Sequence, residues 1–140
     1  MNGNTLINWV LRSPFHGLLS NGMMLLTVTG RKSGRKISTP VNYLRDENTL
    51  WVISWRERTW WRNLRGGANV WILLTGLGAE GRGLVIEETE QVTQSLFEYY
   101  QKAPQYAKYV KIGLDSAGKP ILADCERAAQ KMVMVRIDLP

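Results

Sequence analysis

MMLLTVTGRKSGRKISTPVNYLR, residues 23–45, is the stretch on which the fold turns. Met23 to Thr29 is an apolar, β-branched run that reads as a buried strand. Ile37 to Arg45 alternates, with Ile37, Thr39, Val41 and Tyr43 on one face, and reads as a second strand. Between them Thr29 to Lys36 is TGRKSGRK, four cations and two glycines in eight residues. Glycine lets the chain reverse tightly, so the two runs form a hairpin. A reversal does not need four cations. Backbone N–H groups in a tight glycine turn can converge on an anion, and Gly30 and Gly34 permit that geometry. Arg31 can fork two phosphate oxygens, Lys32 adds a point charge, and Ser33 adds a hydroxyl donor. A solvated hairpin has the same composition, so charge alone leaves both readings open. Pro40 cannot donate to a ladder and marks an edge or a bulge, either a place for a flat ring or a plain barrel edge.

Working outward, Asp46-Glu47-Asn48 is a turn and Leu50 to Ser54 a third strand. Thr59 caps a helix through Arg65, which Gly66-Gly67 stops. Val70 to Thr75 and Gly83 to Glu88 are further strands. Helical patterns cover Gln91 to Lys102, Gln105 to Ile112 and Ile121 to Gln130, and Met132 to Ile137 closes the chain as a strand. Upstream, Asn4 or Thr5 caps a short helix with Leu6, Ile7, Val10 and Leu11 on one face, ended by Ser13-Pro14. Strands joined by hairpins precede the helices, without βαβ alternation. That order disfavours a parallel doubly wound sheet. The expectation is one domain, residues 1–140, mainly β with α: a small antiparallel barrel with helices packed outside it.

A chain of 140 residues, 44% hydrophobic, can bury a core without staples. Its net charge of +6 points to an anionic partner: a phosphorylated cofactor, nucleic acid or an anionic membrane surface. Cys125 is the only cysteine, which excludes an intrachain disulfide and reads as a small buried side chain. With no apolar run long enough to span a bilayer, a cytoplasmic protein is expected. His16 is the only histidine, too little for a serine triad or a histidine metal site. Gly76 to Gly81 has the letters GxGxxG, but the strand-like GLVIEE follows where a dinucleotide site needs a helix, so it reads as a glycine-rich hairpin turn. Glu87, Glu88 and Glu90 read as a solvated strand end. An enzyme built this way relies on a cofactor rather than a nucleophile or a metal.

SWRERTWWRNLR, Ser54 to Arg65, is the second cationic segment. Helical spacing puts Trp60, Asn63 and Leu64 on one face and Trp61 with Arg65 on another. Tryptophan beside arginine suits a stacked anionic heteroaromatic ligand or single-stranded nucleic acid. It suits equally a core Trp60 and Leu64 with arginines in solvent.

Together these segments are familiar. LLTVTGRKSGRKISTPVNYLRDENTLWVIS, followed by WWRNL, resembles the flavin and deazaflavin oxidoreductase superfamily, in its deazaflavin-dependent nitroreductase and quinone reductase branch. The similarity is dense from Ser13 to Asn69. It implies a split antiparallel β-barrel and coenzyme F-420, a deazaflavin bearing a phosphate and an oligoglutamate tail. It implies hydride transfer to a small-molecule substrate: a quinone, an enone or a nitro compound. Carried over by motif, Arg31, Lys32, Ser33 and Gly34 meet the phosphate. Pro40, Asn42, Ile53 and Ser54 flank the ring. Arg56 falls at the cation after the third strand, and Trp60 at the family's tryptophan beside the cofactor. Arg35 and Lys36, at the exit of the turn, would meet the tail. Tyr99, Tyr100, Tyr106 and Tyr109 are candidates for the substrate pocket and for a proton donor. The segment from Arg56 to Trp60 is shorter than in the nitroreductases, and Asn42 stands where they often carry an aromatic, so the substrate does not transfer. Some relatives use FMN and some bind lipid-like molecules. An FMN-binding barrel and a non-catalytic lipid-binding barrel are therefore the alternatives. In the latter the first helix would touch a membrane through Leu6, Ile7 and Trp9, with Arg12 at the headgroups. Nucleic-acid binding is not expected, because the barrel accounts for the same residues.

Overall fold

The structure, a computed structural model, describes residues 22–74 and 76–140. The expected first helix, Ser13-Pro14 and His16 lie outside the described residues. Strands β1 (Met23–Thr29) and β2 (Lys36–Asn42) form the hairpin read from the sequence. They are followed by β3 (Leu44–Asp46), β4 (Thr49–Trp55) and a 3-10 helix, Trp60–Leu64. Strands β5 (Ala68–Leu74) and β6 (Leu77–Ile86) come next. Helix α1 (Thr89–Lys102), a second 3-10 helix (Pro104–Val110), helix α2 (Leu122–Ala129) and β7 (Met132–Asp138) complete the chain.

The seven strands form one sheet in the order β2-β1-β5-β6-β7-β4-β3, and every ladder is antiparallel. Strands β2 and β3 stand at opposite edges, yet only Tyr43 separates them in sequence. A flat sheet of seven strands could not be bridged by one residue. The sheet therefore curls until its edges approach, which is the split barrel expected. It also explains why the single strand expected over Ile37 to Arg45 is two: the chain passes from one edge to the other at Tyr43. On β2 only Val41 is buried, as suits an edge strand.

Alternation sorts the side chains into two cores. Met24, Leu26 and Val28 of β1, Leu50 and Val52 of β4, and Val133, Val135 and Ile137 of β7 point into the barrel. Met132 and Met134 of β7 point outward, under Val92, Leu96 and Tyr100 of α1 and Cys125 and Ala129 of α2. Strand β7 is apolar on both faces because both are covered.

Some local readings change. The segment capped by Thr59 is a five-residue 3-10 helix, and Thr59 makes no side-chain cap. The hairpin turn read over Gly76–Gly81 is shorter than expected: β6 begins at Leu77, so Gly78 and Gly81 lie within the strand. Of the three glutamates, Glu90 is exposed as expected, while Glu87 and Glu88 make structural contacts. The Glu88 carboxylate accepts from the backbone N–H of Glu90 and Gln91 at 3.1 and 3.0 Å, capping α1. Glu87 pairs with Arg65 at 2.9 Å. Cys125 is fully buried, and its thiol is pushed up to about 11 by burial and then by Asp124 and Glu126, so it is inert.

Candidate functional site

The cationic turn is held by its own backbone. Gly30 N–H donates to the Arg35 carbonyl and Gly34 N–H to the Gly30 carbonyl, both at 2.8 Å. Gly34 sits at φ +72, the left-handed region that favours glycine. At Gly30 a Cβ would lie 2.7 Å from Ser33 Oγ, so a larger residue would have to displace that hydroxyl. Ser33 Oγ accepts from Arg35 N–H at 3.1 Å. One contact from outside registers the loop: Arg31 N–H donates to Asn63 Oδ1 at 3.0 Å. Asn63 is itself fixed by donating from Nδ2 to the Trp60 carbonyl at 3.0 Å. Lys36 Nζ donates to Thr29 Oγ1 at 2.9 Å across the hairpin. Among the described residues none of Arg31, Lys32, Arg35 and Lys36 has an ion-pair partner. The turn therefore presents uncompensated positive charge on a defined backbone.

At the other end of β2 lies a cavity of about 640 Å³. Asn42, Ile53 and Ser54 line it from the barrel side, and Tyr99, Tyr100, Tyr106 and Tyr109 from the helical side. Tyr99 and Tyr100 are the buried pair, 8% and 4% exposed, with their rings edge to face at 5.0 Å. Tyr106 and Tyr109 form an exposed rim at 51% and 72%, with ring centroids 6.5 Å apart. The volume falls within the usual range for small-molecule sites.

Over residues 14–114 the sequence matches the F420H(2)-dependent quinone reductase family. The chain belongs to this family.

Among curated proteins, none is similar enough to match. Solved structures share the fold. One is the protein Atu2129 (unknown function) from Agrobacterium tumefaciens, 15% identical with a TM-score of 0.56 over 84% of this chain. The chain spans about half of that protein, 48% of its length. A second is a Bacteroides thetaiotaomicron protein named for 5-nitroimidazole antibiotic resistance, 16% identical, TM-score 0.52, over 99% of this chain and 81% of that one. A third is the FAD and heme binding protein from Mycobacterium smegmatis, 11% identical, TM-score 0.52, over 92% of this chain and 66% of that one. At such identities the likeness is one of fold.

Within this quinone reductase family member, the remaining residues carried over by motif fall elsewhere. Pro40 is on edge strand β2, paired only with Leu25 of β1. Arg56 spends its guanidinium on backbone carbonyls, donating to Ala129 at 3.1 and 3.3 Å and to Glu87 at 2.6 Å, which ties the end of β4 to α2 and β6. Trp60 is 7% exposed and packs in the barrel core with Trp61 and Leu64. Neither Arg56 nor Trp60 lines the cavity. Trp61 donates from Nε1 to the Trp55 carbonyl at 3.1 Å and carries Arg65 and Arg62 over its ring at 5.3 and 5.7 Å.

Sequence reasoning missed Trp55 and Tyr43, which also line the cavity. Trp55 was within reach: in TLWVISW, alternation puts Trp51, Ile53 and Trp55 on the face opposite Leu50 and Val52. Tyr43 was not, because its position depends on the switch between edges. Burial sets the chemistry of the cavity. It pushes the Tyr99 phenol up to about 12, with Tyr106 adding to the rise. Burial raises Tyr100 too, with smaller contributions from Tyr99 and Cys125. Both phenols stay protonated at neutral pH and so keep a proton to donate. Among the described residues no group of histidine, cysteine or carboxylate side chains is placed to hold a metal, and no helix is long and apolar enough to cross a membrane.

Proposed function

We propose that this chain binds reduced coenzyme F-420 along β2, and that hydride passes from it to a quinone, enone or nitro compound held in the tyrosine-lined cavity. The observation that carries this reading is the cavity. Asn42, Ile53 and Ser54, which the resemblance associates with the ring, meet all four tyrosines associated with substrate. The uncompensated cations of the turn stand at the far end of the same strand. Six steps along β2, from Lys36 to Asn42, cover about 20 Å, which suits a long cofactor with an anionic tail.

The residues fit such a group. The bound deazaflavin would supply a hydride at C5. Arg31, Lys32 and the amides around Ser33 and Gly34 would hold its phosphate, fixing where the ring lies along the strand. Pro40 lies on edge strand β2 and has no ladder donor to satisfy, so a flat ring could lie against it. Tyr99 and Tyr100 keep their protons and can donate to an oxygen that gains charge as the acceptor is reduced. Tyr106 and Tyr109 at the rim would limit water once the cavity is filled. Hydride transfer asks for orientation more than for a tuned base, which agrees with the lack of a nucleophile pair.

The test has two stages. F-420 and FMN are titrated separately against the apo protein and followed by tryptophan fluorescence, with F-420 expected to bind more tightly. Oxidation of F-420H2 is then followed by absorbance with a menadione-like quinone. Turnover is expected with F-420H2 and not with NADPH alone. Tighter binding of FMN, or NADPH turnover without added flavin, would overturn the reading.

A further inference from the structure

A second cation lies close to the turn in space although far from it in sequence. Gly66 and Gly67 follow the first 3-10 helix at φ +77 and +93. A Cβ placed on Gly66 would lie 3.9 Å from Arg31 Nη2. One placed on Gly67 would meet Arg82 Nη2 at 3.1, Nε at 3.3 and Cζ at 3.5 Å. Two guanidiniums, one from the turn and one from β6, thus rest on neighbouring glycines. Arg82 is steered there by its partner in register: Nη1 donates to Asn69 Oδ1 at 3.3 Å. The nearby carboxylates do not neutralise it. Asp138, opposite Arg82 on β7, accepts from Arg136 at 2.9 Å and from Thr49 at 3.1 Å. Glu80, two residues earlier on β6, makes no ion pair among the described residues. Like charges gathered without a counter-charge repel unless an anion joins them.

The geometry points to an anion track that runs from the cationic turn across Gly66-Gly67 to Arg82, where Arg82 holds a carboxylate of the cofactor's glutamate tail. This rests on the deazaflavin reading. It gives the tail a different route from Arg35 and Lys36 at the exit of the turn. Lys36 is engaged with Thr29, whereas Arg31 and Arg82 reach neighbouring glycines.

The test compares dissociation constants, at low and high salt, for long-tailed F-420 and for its tail-less phosphate form. Wild type should bind the long-tailed form more tightly at low salt, by about two- to fivefold for an exposed pair. Arg82→Ala should erase that preference and leave the tail-less constant unchanged. Arg82→Lys should restore part of it, and the double variant Arg35→Ala with Lys36→Ala should keep it. A near-ultraviolet circular dichroism spectrum matching wild type shows that the Arg82 variants are folded. Three outcomes overturn the inference alone while the tail-less form still binds: no tail preference in wild type, a preference that survives in Arg82→Ala, or one abolished by the Arg35/Lys36 pair. Wild type that binds neither deazaflavin form overturns the functional reading and the inference with it.

Discussion

The cationic turn and the tyrosine cavity stand at the two ends of one strand and are built in opposite ways. The turn is contiguous, Gly30 to Lys36, exposed from Arg31 onward, and shaped by backbone hydrogen bonds and one asparagine from the neighbouring 3-10 helix. The cavity is assembled from the β2–β3 junction, the end of β4, helix α1 and the 3-10 helix after it. Its inner wall, Tyr99 and Tyr100, belongs to the core between sheet and helices. A change in the turn should therefore alter affinity and leave stability nearly untouched. A change in the buried framework around the cavity should alter stability first.

The largest effect tests where that division runs. Trp60→Ala opens a hole in the barrel core and should cost about 3–5 kcal/mol in denaturant unfolding. Wild-type stability with lost cofactor affinity would move Trp60 from the framework to the ring site. Next is Arg56→Ala, which leaves the Ala129 and Glu87 carbonyls without their charged donor. It should cost about 1.5–3 kcal/mol in unfolding with little change in cofactor affinity. The reverse pattern would make Arg56 a cofactor ligand.

A third effect is read from pH. The Tyr99 phenol holds its proton more tightly when folded, up to about 12 against an ordinary value of 10. Its stabilisation is complete below pH 10 and is lost as pH rises from 10 to about 12, on the order of 2 kcal/mol. Tyr99→Phe should make the fall in unfolding free energy across that window shallower, with Tyr100 carrying part of what remains. An unchanged pH dependence in the variant would show that Tyr99 is not the group that senses it.

The same contrast explains what could be read before the structure. The hairpin was legible because its signals are local: glycine spacing and flanking periodicity all lie within residues 23–45. The barrel followed, since hairpins without βαβ crossovers leave few arrangements. The cavity was half legible. The tyrosines came from the family resemblance, but sorting Tyr99 and Tyr100 inward and Tyr106 and Tyr109 to the rim needs the packing of α1 against β7. The placement of Asn63 and Arg82 was not legible, because Asn63 reaches back 32 residues to Arg31 and Arg82 comes from another strand. The helix expected at Thr59 tightened to a 3-10 turn that seats Trp60, Trp61 and Leu64 in the core, an outcome of tertiary packing rather than propensity.

If one molecule spans both regions, Lys32→Ala reveals it with the smallest change. The dissociation constant is determined for F-420 and for the same chromophore without its phosphate, with wild type, Lys32→Ala and Tyr100→Phe. Lys32→Ala should weaken F-420 by about 0.2–1 kcal/mol at low salt, less at high salt, and leave the phosphate-free chromophore unchanged. Tyr100→Phe should affect both ligands alike. If Lys32→Ala weakened both equally, or neither, the turn and the cavity would not be two ends of one binding site.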